Sequence, residues 1–167
     1  MLEALVGWLT TTSAGNFFAD RIWSIALSQT IHILAVSTVM VPVVLLNLRL
    51  LGVVGTSRPF AAMFGDFRPW IWWAMLALLV TGLIQTIAEP GRELLSSAYQ
   101  MKVALLFLVV GITYYYQRTL RTNPGYWDAP SRRSLAVALA LLSLFFWIGI
   151  VVMGRLVAYM GQDSNLF

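Results

Sequence analysis

The sequence predicts an all-α integral membrane protein, a four-helix bundle preceded by a short N-terminal interfacial helix. Three observations carry this reading. Apolar residues make up 59% of 167 residues and charged residues 11%, with a mean hydropathy of +0.78, whereas apolar residues form about half of an ordinary soluble domain. Four apolar runs reach the roughly 20 residues needed to cross a bilayer. The charges gather in short segments between those runs.

In chain order, Leu2, Leu5, Val6 and Leu9 recur at helical spacing with Glu3 off that face. This pattern predicts a short helix lying on the membrane surface. Glu3 stands where a signal peptide carries positive charge, so no cleaved signal is expected. The spans are expected at about 22–48, 70–89, 98–117 and 134–160, within one transmembrane domain covering 1–167. Pro42 lies well inside the first span and predicts a kink there. The connecting segments "RLLGVVGTSRPF", "AEPGRE" and "RTNPGYWDAPSRR" hold the Pro, Gly and charged residues.

Arg49, Arg58 and Arg68 lie in or beside the first connection, and Arg118, Arg121, Arg132 and Arg133 in or beside the third. The other side carries Arg21, Arg92, Lys102 and Arg155 against Glu3, Asp20, Glu89, Glu93 and Asp163. By the positive-inside rule both termini are expected outside the cytoplasm, which in a bacterium means the periplasmic face of the inner membrane. Trp70, Trp72 and Trp73 then mark the inner interface, and Trp23, Tyr99 and Tyr159 the outer one. The formal net charge of +4 is read as a topology signal, so lipid rather than nucleic acid is the expected partner. Cysteine is absent, which excludes disulfides, thiolate metal sites and cysteine nucleophiles.

Bundle-facing sides of membrane helices favour small and polar residues. The first span offers Ser24, Ser28, His32 and Ala35; the second offers Ala74, Thr81, Gln85 and Glu89. Ala98, Lys102 and Thr113 follow in the third, and Ala136, Ala140, Ser143, Trp147, Gly154 and Arg155 in the fourth. His32, the single histidine, lies nine residues beyond Trp23, or roughly 14 Å at 1.5 Å per residue. Lys102 is only about 6 Å into its span by the same rise. Five polar or ionisable side chains from four helices (His32, Gln85, Glu89, Lys102 and Arg155) are thus expected below the outer face. Intramembrane ionisable groups are costly, which makes function their default reading. Plainer roles stand beside it: Lys102 snorkelling, His32 making one interhelical hydrogen bond, and a Glu89–Arg155 ion pair.

The segments "IHILAV", "LNLRLLG" and "YQMKVALLFLVVGITYYYQR" carry a resemblance. They resemble small four-helix bacterial membrane proteins, distantly the membrane-type protoporphyrinogen oxidases and the membrane domains of copper-resistance proteins of the D type. A family of small bacterial membrane proteins sharing the "LRLLG" ending of the first helix is similar as well. The likeness covers most of the chain from about residue 22. In the oxidase group the first-helix His is a haem ligand and the third-helix Lys is needed for activity, roles that would fall on His32 and Lys102. That group has Trp, Gly, Tyr and Pro after its His, and a further His. Here the run is "ILAVSTVMVPVVLLNL" and no second His exists. The resemblance therefore implies cofactor binding more than porphyrinogen oxidation.

Three readings follow. In the first, a b-type haem serves a redox or electron-transfer subunit. His32 is an axial ligand, Met153 or Met101 supplies the second position unless it stays open, Lys102 and Arg155 neutralise the propionates, and Trp147 packs on the ring. For Trp147, ordinary core filling is the reading preferred to packing on the ring. In the second, His32 with Met101, Met153 and Met160 handles copper. In the third, the chain is a cofactor-free accessory subunit of a membrane complex. A homo-oligomer or partner membrane or periplasmic subunits are expected throughout. No nucleophilic triad, P-loop or dinucleotide fingerprint is present, and four spans without a repeat disfavour transport.

Overall fold

The computed structural model describes residues 1–163, excluding the side chains of Ile22, Ala158, Met160 and residues 161–163. Met160, weighed above as a copper donor, and the charge of Asp163 thus lie outside the described side chains. The helices are α1 (Leu2–Thr11), α2 (Ser13–Ala19), α3 (Ile22–Leu51), α4 (Phe60–Ala88), α5 (Pro90–Leu94), α6 (Ser97–Thr122) and α7 (Arg133–Asp163), with a 3-10 turn at Pro130–Arg132. Four segments are long and apolar enough to cross a membrane: Trp23–Leu51, Phe60–Ala88, Ser97–Thr122 and Pro130–Val157. This is the composition of a multi-pass membrane protein.

The long helices pack as two hairpins. Helix α3 lies against both α4 and α7, and α6 lies against α7. Val39, Ile71, Val109, Ala140 and Trp147 fill the interior and are almost wholly shielded. Outward faces carry Ile33, Leu34, Leu83, Phe107, Phe145 and Ile148, all exposed, an arrangement suited to hydrocarbon as solvent rather than water.

Each long helix runs past the expected span at one end or both. The largest difference is α4, which starts at Phe60 rather than near residue 70. Gly65, Asp66, Arg68 and Pro69 lower the hydropathy of that stretch without stopping the helix, while Phe60, Met63 and Phe64 are buried on its other side. Helix α3 passes Pro42 without a break and stops at Gly52, whose φ of 82° is left-handed. Gly52 N–H donates to Arg49 O and Val53 N–H to Leu48 O, a glycine C-terminal cap that satisfies carbonyls the helix leaves open.

At this loop end, charged residues tie the connections together. Asp128 accepts from Arg49 at 2.8 Å through one oxygen and from the Phe60 amide at 3.0 Å through the other, so it caps α4 from a distant loop. Arg133 donates to the Leu50 and Leu51 carbonyls, each at 3.0 Å, and so completes the end of α3. Trp127 is buried beneath, edge-on to Tyr115, Tyr116 and Tyr126.

The opposite, terminal end is covered by α1, α2 and α5. Thr12 caps α2 by accepting from Gly15 N–H at 3.1 Å. Helix α1 packs on α2 and α5 with Val6 and Leu9 half-buried, while Leu2, Leu5 and Trp8 are exposed. The expected short helix is present, joined by a second one in α2.

Candidate functional site

His32 faces α4 from the middle of α3. Its Nδ1 lies 2.7 Å from Thr81 Oγ1, and the same hydroxyl lies 2.6 Å from the Ala77 carbonyl four residues back. A threonine hydroxyl has one proton. The carbonyl can only accept, so the hydroxyl proton goes to Ala77 O and Thr81 Oγ1 receives the Nδ1–H. The ring is thereby held as the tautomer with a lone pair on Nε2. Among the described residues Nε2 has no hydrogen-bond partner, and it is not among the sealed polar atoms. The ring also fits closely over Gly82, where a Cβ would stand 3.7 Å from His32 Cε1.

His32 opens onto a cavity of about 290 Å³. Gln29 of α3, Gln85 of α4, Lys102 of α6 and Arg155 of α7 line it with His32. Arg92 and Glu93 of α5 contribute from the terminal end. Between α3 and α7 the lining becomes apolar, at Ile33, Val36, Ile150 and Val151, and Ile33 and Val151 are exposed on the outer face. The cavity thus joins a polar chamber to a seam facing lipid.

Lys102 lays its stem against α7, where a Cβ on Gly154 would meet its Cδ at 3.8 Å. Its ammonium reaches over the Tyr99 ring, 5.3 Å from the centroid, and the Tyr99 hydroxyl bonds Thr86 at 2.8 Å. Lys102 therefore both leans toward the terminal end and lines the cavity. The Gln85 amide nitrogen is buried without a partner. Glu93 is 4% exposed, an unusual depth for a carboxylate.

The expected Glu89–Arg155 ion pair is not formed. Glu89 pairs with Arg92 at 2.6 Å, and Arg92 also lies 3.5 Å from Glu93. Helix α4 ends at Ala88, so Glu89 turns out of the helix and finds a cation one turn away. Arg155 is exposed and has no carboxylate within 4 Å among the described residues.

Of the residues singled out in the sequence, His32, Lys102 and Arg155 come together. Trp147 does not join them: it is 1% exposed within the main core and does not line the cavity. Met153 is half-buried off the cavity, and Met101 is 53% exposed. Arg92 and Glu93 went unrecognised because "AEPGRE" reads as a connector. Their signal was the run of charges, Glu89, Arg92 and Glu93, directly following Gln85 of α4. Among the described residues no group of three or more His, Asp and Glu side chains could hold a metal ion. No family model, curated protein or solved structure matches the chain.

Proposed function

We propose that the chain is a membrane subunit that binds b-type haem in the terminal half of its bundle, where His32 Nε2 would hold the iron. The observation that supports this most is the bond from Nδ1–H to Thr81. A ligating imidazole characteristically donates its other N–H to an acceptor that fixes tautomer and orientation. A neutral ring also suits an apolar setting, since ligation needs the unprotonated nitrogen.

The surrounding residues fit such a group. Lys102 and Arg155 offer cations for propionates on the terminal side of His32. The cavity of about 290 Å³ lies just below the range of about 300–1,000 Å³ for small-molecule pockets. Its apolar side opens at Ile33 and Val151, both exposed, so a larger group would not be confined to the enclosed volume. Met153 and Trp147 do not line this cavity, so His32 is the residue here that would hold the iron. When bound, haem supplies one-electron chemistry; the chain's own residues bind it, orient it and balance its charge.

The arginine distribution supports both termini lying outside the cytoplasm, in a bacterium on the periplasmic face of the inner membrane; on that reading the site faces the periplasm. The competing reading is a cofactor-free subunit, favoured by the same His32–Thr81 bond, because it also ties α3 to α4. An absorption spectrum of detergent-purified protein, expressed with haem supplied, separates the two. A Soret band in wild type that is lost in His32→Ala supports haem; no band in wild type overturns it. Labelling of a cysteine introduced at Gly125 only from the periplasm would reverse the orientation.

A further inference from the structure

A second cavity, of about 670 Å³, lies at the loop end, far along α3 from His32. Three guanidiniums from separate parts of the chain line it: Arg49 at the end of α3, Arg58 in the following loop and Arg133 at the start of α7. We infer that this cavity binds a phosphate group, held by Arg49, Arg58 and Arg133 with the Thr56 and Ser57 hydroxyls at its rim.

The clamp described above does not exhaust these side chains. A guanidinium carries five N–H donors. Arg49 spends one on the Arg58 carbonyl and one on Asp128. Arg133 spends two on α3 carbonyls, and Arg58 spends one on Asp66. Each keeps at least three donors, and the paired bonds of Arg49 and Arg133 already fix those two guanidiniums. For them the ordering cost is met before a ligand arrives, while Arg58 is exposed and would close on the ligand. Thr56 and Ser57 also lie on the lining, and their hydroxyls make no side-chain hydrogen bond among the described residues.

Charge favours an anion there. Asp128 is the only carboxylate on the lining, and Arg49 and the Phe60 amide occupy its two oxygens. Asp66 balances Arg58 from outside the cavity. Planar forks of this kind match phosphate oxygens in pairs. Exposed apolar side chains follow two lining residues in the chain: Val53, 68% exposed, three residues after Leu50, and Leu135, 36% exposed, two residues beyond Arg133. A phosphate with adjoining apolar chains is the chemistry of an anionic phospholipid, and basic pockets between membrane helices take such headgroups. A soluble phosphate offers the same group without the chains.

The test is thermal unfolding of delipidated protein in detergent, with phosphatidylglycerol, phosphatidylcholine or inorganic phosphate added. Phosphatidylglycerol should raise the midpoint, and Arg58→Gln should weaken its apparent affinity about tenfold or more, the loss of one charged hydrogen-bonding partner. Arg58 is largely exposed and outside the α3 cap, so this variant should fold. Arg121→Gln, a cation off the cavity, should keep the full shift. A shift from inorganic phosphate alone, lost in Arg58→Gln, supports the site with a soluble occupant. No shift from either anion, an equal shift from phosphatidylcholine, or equal losses in the two variants would overturn it.

Discussion

His32 Nδ1–H donates to Thr81 Oγ1 across 2.7 Å, and the Thr81 hydroxyl in turn donates a hydrogen bond to Ala77 O. This relay joins α3 to α4 and leaves Nε2 as the free acceptor. Thr81→Val keeps the shape of a buried side chain but removes the acceptor. The stranded Nδ1–H should cost about 1–3 kcal/mol, read as a lower unfolding midpoint in detergent. If His32 holds haem, retention should also weaken by about 10- to 100-fold, the usual loss with an outer partner. Thr81→Ser should restore both. Unchanged haem affinity in Thr81→Val would separate the relay from ligation.

Trp147 tests whether the core and the site are separate. It is 1% exposed, and its indole nitrogen is buried without a partner. Trp147→Phe removes that unpaired N–H along with some volume, two effects that oppose each other, so stability should change by less than about 1.5 kcal/mol. Trp147→Ala should cost about 3–5 kcal/mol. Any Soret band should keep its position in Trp147→Phe. A shifted band would return Trp147 to the cofactor's surroundings.

The sequence disclosed the helices through their apolar runs, and it disclosed His32, Lys102 and Arg155 because ionisable groups inside those runs are conspicuous. It already read Trp147 more readily as core, where the residue lies, but it could not decide whether Trp147 and Met153 reach the cavity. Both sit at suitable heights on α7, but the face each presents depends on how α7 packs against α3 and α6. The start of α4 was hidden because hydropathy reports burial in lipid, and residues 60–69 form a helix buried on one side only. Arg49 and Arg133 read as topology charges. Their roles as clamps depend on Asp128 and on the α3 carbonyls, 79 and 82 to 83 residues away respectively.

Arg49 and Asp128 form the strongest test of that clamp. Their side chains are 12% and 29% exposed and 2.8 Å apart. Asp128→Ala strands a part-buried cation and the Phe60 N–H together, and should cost about 2–4 kcal/mol. Removing the cation as well, in Arg49→Met with Asp128→Ala, should cost less than the sum of the two single changes. Strict additivity in urea or thermal unfolding would mean that the pair contributes nothing.

Arg155 should prove dispensable for stability, as it has no carboxylate within 4 Å among the described residues. Arg155→Gln is expected to change unfolding by no more than about 0.5 kcal/mol, as at surface positions away from special features. Combined with Glu89→Gln it should be additive within about 0.5 kcal/mol. If it supports a propionate, haem retention should fall while stability holds. A stability loss that vanishes in the double variant would restore the Glu89–Arg155 pair.

Gly52 carries two separate costs that substitution can divide. Its φ of 82° is left-handed, where an L side chain costs about 1–2 kcal/mol. A Cβ there would also stand 2.8 Å from a terminal nitrogen of Arg133. A free guanidinium would swing aside at little cost. This one is held by the Leu50 and Leu51 carbonyls, so moving it forfeits charged hydrogen bonds at about 1.5–3 kcal/mol each. Gly52→Ala should therefore destabilise by more than the backbone cost alone. Gly52→Asn eases the left-handed conformation but keeps the clash, so it should recover only part of the loss. In an Arg133→Met background the clash disappears with the guanidinium, and Gly52→Ala should fall back to about 1–2 kcal/mol. An equal cost in both backgrounds would show that Arg133 yields freely and that the backbone alone requires glycine.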